Sequence, residues 1–258
     1  METDAIMDLL RRTADEVIRP RFRALTDADI EEKARPGDLV TVADREAETF
    51  LTALLQERHP DAVVVGEEGV FLNTATLAGL HNADHAFIID PIDGTGNFAR
   101  GDERYGVMLA ETRGGITTRG WIWQPEFDRG YAVERGNGVE LNGSPIERPR
   151  HNRPPLGAAG RKKLVGFDAD GQLSPAVRTQ FACAFDYPSI LHGDTDFVFY
   201  TSLNPWDHLA GSLMVVEQGG VSRTLDGMAY NLLNRSRGLL VANDTLSWMA
   251  AQQYWPTH

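Results

Sequence analysis

Residues Phe87 to Phe98 read FIIDPIDGTGNF. An apolar run enters two carboxylates, a proline, a Gly-Thr pair and an asparagine, the pattern of a buried strand that ends in a polar loop. Pro91 has no amide hydrogen and restricts Asp90 to extended backbone, so it is expected to stop the strand with the Asp90 carboxylate at its tip. Asp93 and Gly94 then turn the chain. These two carboxylates, with the Ile92 carbonyl between them and the Thr95 hydroxyl beyond, make a compact set of hard oxygens suited to Mg²⁺ or Mn²⁺. The amides of Thr95, Gly96 and Asn97 are candidates for holding an anion. Taken alone, the segment also reads as a surface turn. A calcium loop fits less well, because the acids miss the alternate positions of an EF-hand and a strand replaces its first helix.

Two further acidic groups sit at the ends of apolar runs. In VVVGEE, Val63 to Glu68, a β-branched run delivers Glu67 and Glu68 to the end of a second buried strand. In NPWDHLAGSLMVVEQGG, Asn204 to Gly220, Pro205 suits a first helical turn and Leu209, Ala210, Leu213, Met214 and Glu217 follow at helical spacing. Asp207 therefore lies at a helix N-terminus.

Together GEE, DPIDGTxNF and WDxxAGxxxxxExGG resemble the inositol monophosphatase family of metal-dependent sugar phosphatases, in the family's order and spacing, from about Lys33 to about Ala242. The resemblance implies that Glu67, Asp90, Asp93 and Asp207 are side-chain metal ligands and that Ile92 adds its carbonyl. They would hold two or three Mg²⁺ ions, with Mn²⁺ able to substitute. The segment DLVTVAD, Asp38 to Asp44, is similar to the family's DLVTxxD element. Its acid pairs with the motif threonine to activate a water, which implies a catalytic set of Asp44, Thr95 and Glu67. Asp93, Gly94 and Thr95 would hold the phosphate, and Cys183, Asp186 and Tyr200 would face the leaving alcohol.

One position departs from that pattern. Inositol monophosphatases proper carry a glutamate seven residues before the WD aspartate, and here Tyr200 stands there. A tyrosine does not accept two hydrogen bonds as a carboxylate does. Asp186 either supplies the missing acid or serves only as a helix-start residue.

The implied fold is α/β, a layered αβαβα sandwich with an N-terminal α+β half over 1–147, a connecting segment over 148–155 and a C-terminal α/β half over 156–258. The active site would lie between the halves, and family members are often homodimers and lithium-sensitive. The implied activity is Mg²⁺-dependent hydrolysis of a small phosphate monoester, an inositol monophosphate or a related polyol or sugar phosphate. Histidinol phosphate, fructose 1,6-bisphosphate and adenosine 3′,5′-bisphosphate are rival substrates. A non-catalytic metal- and phosphate-binding regulator is the alternative from another class. A phosphate monoester repels both the carboxylates and an attacking hydroxide, so such a site works only with cations in place.

With 37 acids against 25 bases the net charge of the 258 residues is −12, which argues against nucleic acid or an anionic membrane as partner. The single cysteine, Cys183, excludes an intramolecular disulfide and fits a reducing compartment. No apolar run is long enough to span a bilayer and METDAIMDLLRR lacks signal-peptide character, so a cytoplasmic location is expected.

Around the motifs, amphipathic patterning predicts a helix over Thr3–Arg19 that ends at Pro20 and a second over Arg45–Arg58 with Asp44 as its N-cap. Runs at Tyr105–Thr112, Ile116–Trp123, Gly130–Arg135 and Val139–Leu141 predict an antiparallel meander in which Trp121 and Trp123 are core. ERPRHNRPP, Glu147 to Pro155, reads as a solvated linker. Beyond it, strand-like or helix-like segments fall at Lys163–Phe167, Pro175–Phe181, Phe185–Leu191 and Phe197–Tyr200. A late strand is expected at Leu239–Ala242 and a terminal helix at Thr245–Tyr254. GxSxG and GxxxxGK motifs are absent, and His208, adjacent to Asp207 on a helix, is left outside the catalytic set.

Overall fold

The structure, a computed structural model, describes residues 2–33, 37–74, 76–80, 83–148, 150–232 and 238–256. Helix α1 (Glu2–Thr13) runs on through a π turn at Ala14–Ile18 and a 3-10 turn at Arg19–Arg21, passing the expected stop at Pro20. Pro20 lies in the first turn of that 3-10 segment, where its missing amide costs nothing.

A short ribbon of β1 (Ile30–Glu32) and β2 (Leu39–Thr41) leads into α2 (Val42–Arg58). The N-cap of α2 is Thr41, correcting the assignment of Asp44. Thr41 Oγ1 accepts the Ala43 amide at 3.2 Å, and Asp44, three residues on, accepts the Thr41 amide at 2.8 Å. This is a capping box closed by an aspartate.

The next elements are β3 (Val63–Gly66), α3 (Glu67–Leu72), α4 (Thr76–Leu80), β4 (His85–Asp93) and α5 (Thr95–Ala99). The expected meander follows as β5 (Gly106–Arg113), β6 (Ile116–Gln124), β7 (Arg129–Glu134), β8 (Gly138–Leu141) and β9 (Ser144–Pro145). Strands β3 to β9 form one seven-stranded sheet in sequence order, parallel only at β3–β4.

Strand β4 passes through Pro91 rather than ending there. Asp90 pairs with Met108 and Asp93 with Gly106, so one extra residue is accommodated as a register shift. The bulge absorbs the missing proline donor and carries the strand on to Asp93.

Alternation along this sheet creates the layers. Phe87, Ile89, Leu109, Trp121 and Trp123 bury one face against Ile6, Leu10, Leu51 and Leu55 of α1 and α2. Ile88, Met108, Ile122 and Val133 bury the other face against the second half of the chain. That half comprises β10 (Leu156–Ala159), β11 (Ser174–Arg178), α6 (Cys183–His192), β12 (Phe197–Tyr200), α7 (Pro205–Glu217), β13 (Val221–Thr224), β14 (Leu239–Ala242) and α8 (Thr245–Tyr254). Its five-stranded sheet has the order β11-β10-β12-β14-β13. Helices α6 and α7 lie between the two sheets, and Trp248, Ala251 and Trp255 of α8 and the chain after it cover the outer face at Phe197, Leu240 and Ala242. The result is the αβαβα sandwich.

Three segments differ from expectation. Lys163–Phe167 is a 3-10 turn over Lys162–Leu164 and a loop, and the edge of the sheet is built instead from Leu156–Ala159, whose small residues carry a weak strand signal. Val221–Thr224 adds the other edge. The connecting segment, whose Pro149 lies outside the described residues, is docked as well as solvated. Buried Asp196 accepts the amides of Asn152 and Leu156 at 3.0 and 2.7 Å, and Arg153 and His151 both pair with Asp244.

Candidate active site

Three chain ends converge. Glu67 opens α3 directly after β3, Asp90 lies on β4 before the bulge, and Asp207 sits in the first turn of α7. One carboxylate oxygen from each of these three falls within 4.8 Å of the others. Asp90 is 2% exposed, and its Oδ1 has no hydrogen-bond partner among the described residues. A buried, unpartnered carboxylate oxygen facing two more carboxylates is costly unless a cation balances it. The donor set is all oxygen and anionic, which fits a hard divalent ion. Asp93 lies outside that triplet but lines the same cavity, with its Oδ2 accepting the Ala184 amide of α6 at 2.6 Å. The Ile92 carbonyl accepts the Thr95 hydroxyl at 3.0 Å.

The electrostatics reflect the crowding. Burial, reinforced by the charge of Glu67, holds Asp90 and Asp207 well above the usual carboxylate range. Burial raises Asp93 to about 7 against the opposing amides of Ala184 and Cys183. Burial also takes Asp44 to about 7, although two bonds from Thr41 favour its charged form.

Asp44 and Thr95 meet as the motifs imply. Asp44 Oδ2 is held by the Thr41 hydroxyl and amide, which leaves Oδ1 at 3.1 Å from Thr95 Oγ1. The hydroxyl has one hydrogen, and ionised Asp44 and the Ile92 carbonyl both reach it. Gly94, with φ +85, makes the turn into α5 at a conformation other residues rarely adopt. Its carbonyl takes the Asn97 amide at 2.8 Å, so that amide is not available to an anion.

Three residues outside the expected set support or border the site. Glu48 of α2 accepts the amides of Glu68 and Gly69 at 2.7 and 2.8 Å, capping α3 and fixing the backbone that carries Glu67. Its carboxyl occupies the space a side chain at Gly66 would need. The position was legible, since Glu48 lies four residues after Asp44 on one helical face. Lys33 Nζ stands 2.7 Å from Glu67 and 2.6 Å from Glu68, a tethered cation whose pairing holds its ammonium strongly charged.

His208 is the third. It lines the cavity together with Asp207, because a cavity that wraps a helix end meets successive residues of the first turn. Its Nε2 lies 2.9 Å from the Ser202 carbonyl and so carries the hydrogen. Nδ1 then accepts from the Tyr187 hydroxyl at 3.1 Å, behind which stand Ser212 and Ser222. Burial lowers His208 to about 4, which keeps it neutral.

On the alcohol side, Cys183, Asp186 and Tyr200 all border the cavity. Asp186 Oδ1 accepts the Gln180 amide at 2.8 Å, and burial raises its carboxyl to about 7. It therefore pins the loop before α6 and also faces the cavity. Tyr200 stacks on Tyr187 at 5.7 Å, and its buried hydroxyl has no partner among the described residues.

The model of the inositol monophosphatase family matches residues 2–256. Among named relatives, an inositol-1-monophosphatase of Mesorhizobium japonicum is 30% identical over 213 residues, 74% of each chain. The Nus factor SuhB of Pseudomonas aeruginosa is 28% identical over 262 residues, covering 93% of this chain and 90% of that one. Of solved structures, an inositol monophosphatase of Thermotoga maritima superposes with TM-score 0.81 at 24% identity, covering 97% of this chain and 96% of its own. An IMPase/NADP phosphatase complexed with Mg²⁺ and phosphate gives 0.83 at 22%, covering 100% and 96%.

Proposed function

This chain belongs to the inositol monophosphatase family, and we propose that it is a divalent-metal-dependent phosphatase that hydrolyses a small phosphate monoester with a water as nucleophile. The observation that carries the reading is the buried Asp90 oxygen without a partner, set among Glu67 and Asp207 and beside an intact Asp44–Thr95 pair.

Glu67, Asp90 and Asp207 would hold the metal, with Asp93 and the Ile92 carbonyl next to them. A divalent ion supplies charge neutralisation for the phosphate and the leaving oxygen and acidifies a water. The protein's own part is orientation and proton handling. Thr95 Oγ1 holds the attacking water, and Asp44 Oδ1, anchored by Thr41, takes the proton through that hydroxyl. The backbone of Gly94 and Thr95 borders the cavity where the phosphate would sit. Mg²⁺ is the expected ion, with two or three bound and lithium as inhibitor. A homodimer is proposed on the family resemblance alone, a cytoplasmic location on the single cysteine, Cys183, and a division at 148–155 on the proline- and base-rich composition of that segment. Sedimentation equilibrium checks the first.

The test is phosphate release from an aryl phosphate with and without Mg²⁺. Release that needs the ion and ceases in Asp90→Asn supports the reading. A protein that releases no phosphate from any monoester while binding Mg²⁺ would instead be the metal- and phosphate-binding regulator.

A further inference from the structure

The wall of the cavity remote from the carboxylates is aromatic and is held in place at a conformational cost. Phe181 has φ +58, a left-handed backbone unusual for a bulky residue, and its side chain is 47% exposed. Such geometry persists only where the surroundings dictate it. On one side Gln180 is gripped by Asn97 through its carbonyl at 2.9 Å, by Arg104 through its side chain at 2.8 Å and by Asp186 through its amide. On the other side Asp93 holds the Ala184 amide. The same bonds that place Asp93 therefore hold the Phe181 ring at the lip of the site. The Arg178 guanidinium lies 4.6 Å from the ring, which leaves the rest of it to the cavity.

A second cavity adjoins the first along Gly160, Phe199 and Thr201. The site cavity measures about 500 Å³, and the second, of about 190 Å³, is closed by Leu164 and Trp255. A Cβ at Gly160 would meet only Thr179 Oγ1, at 3.9 Å, so the shared border is uncrowded there. A bare polyol would need hydroxyl partners along its rim. Besides Asp186, whose Oδ1 is taken by the Gln180 amide, this wall offers phenyl rings of Phe181 and Phe199 with the hydroxyls of Thr179, Thr201 and Tyr200, the last unpartnered among the described residues. Flat faces with a few edge-on polar groups suit a planar heteroaromatic ring.

We propose that the alcohol part of the substrate carries a planar heteroaromatic ring, as in a nucleoside monophosphate, and that Phe181 is the specificity residue against which that ring lies. This rests on the phosphatase reading and narrows it. The test compares kcat/KM for adenosine 5′-monophosphate, histidinol phosphate and inositol 1-phosphate in the wild type, Phe181→Gly and Phe181→Tyr. Wild type should favour at least one ring-bearing ester over inositol 1-phosphate by about tenfold or more. Phe181→Gly, which relieves the backbone and should melt no lower, should bring that ratio to about one, and Phe181→Tyr should restore it. The two ring-bearing esters tell a purine-sized partner from an imidazole-sized one. A wild-type preference for inositol 1-phosphate, or a ratio unmoved by Phe181→Gly, overturns the inference. If even an aryl phosphate is not hydrolysed, the phosphatase reading is what fails. Calorimetric binding of adenosine 5′-monophosphate then decides the wall: Phe181→Gly weakens it about tenfold if the inference holds and leaves it unchanged if not.

Discussion

Glu48 Oε2 accepts the backbone amide of Glu68 at 2.7 Å, so a helix that belongs to the outer layer sets the position of the residue next to Glu67 of the carboxylate cluster. The carboxyl also serves the Gly69 amide, and burial raises its pKa against those bonds. Its charge and reach, rather than any contact with substrate, are what the site uses.

Replacing it should therefore act through the metal. Glu48→Ala leaves two part-buried amides without an acceptor, a cost of up to about 1–3 kcal/mol each when unrelieved. We expect a lower melting temperature and a raised half-saturating Mg²⁺ concentration, with KM for substrate at saturating metal close to wild type. Mg²⁺ titration of phosphate release checks this, and an unaltered titration would refute the positioning role.

Thr95→Ala and Asp44→Asn should lower kcat by about 10²–10⁴ while changing the Mg²⁺ requirement little, because the pair handles a proton and does not bear the cluster's charge. Steady-state kinetics separates the cases. An effect confined to KM would contradict it.

Lys33 should matter most when metal is absent. Its Nζ sits against Glu67 and Glu68 with the side chain 3% exposed, so Lys33→Met removes the described cation paired with both. Breaking a buried pair costs about 3 kcal/mol, and a chain of this size loses about 2–4 °C per kcal/mol. Thermal melts with and without Mg²⁺ should show a larger loss in the metal-free protein.

The metal-free protein should also be less stable at higher pH. Asp44, Asp93 and Asp186 titrate near 7 when folded, from an ordinary value of 3.8. Between those values the folded state holds protons that the unfolded state has lost, so stability falls as pH rises, by about 1.4 kcal/mol per pH unit per proton. His208 works in the opposite direction, since its folded value is near 4 and its ordinary value 6.5, but above 6.5 it is neutral in both states. The window from about 6.5 to 7 is thus governed by the carboxylates. Melts at pH 6.5 and 7.5 should show the decline without metal and its reversal with saturating Mg²⁺.

The sequence exposed the site better than the layers around it. Glu67, Asp90 and Asp207 were readable because acids following apolar runs must sit at strand or helix ends, and the structure brings those ends together. Pro91 misled, because a bulge relieves a proline that periodicity alone treats as a stop. Asp44 was misplaced by one turn position, since T-x-x-D can cap from either end of the motif and only Thr41's extended backbone decides. Strands such as Leu156–Ala159 were hidden because small residues between two helical layers lack the β-branched pattern of a strand. The contacts of Lys33 and His208 were not legible, because they are long-range, with Glu67 and Tyr187.

The most direct test strips the protein with a chelator and follows phosphate release as Mg²⁺ is returned, with wild type and Asp207→Asn side by side. The account predicts that wild type is inactive when stripped and recovers with Mg²⁺, and that Asp207→Asn stays inactive yet folded, melting no lower than the stripped wild type because it removes one of the buried like charges. Activity in the stripped wild type, or full recovery of Asp207→Asn at saturating Mg²⁺, would contradict it.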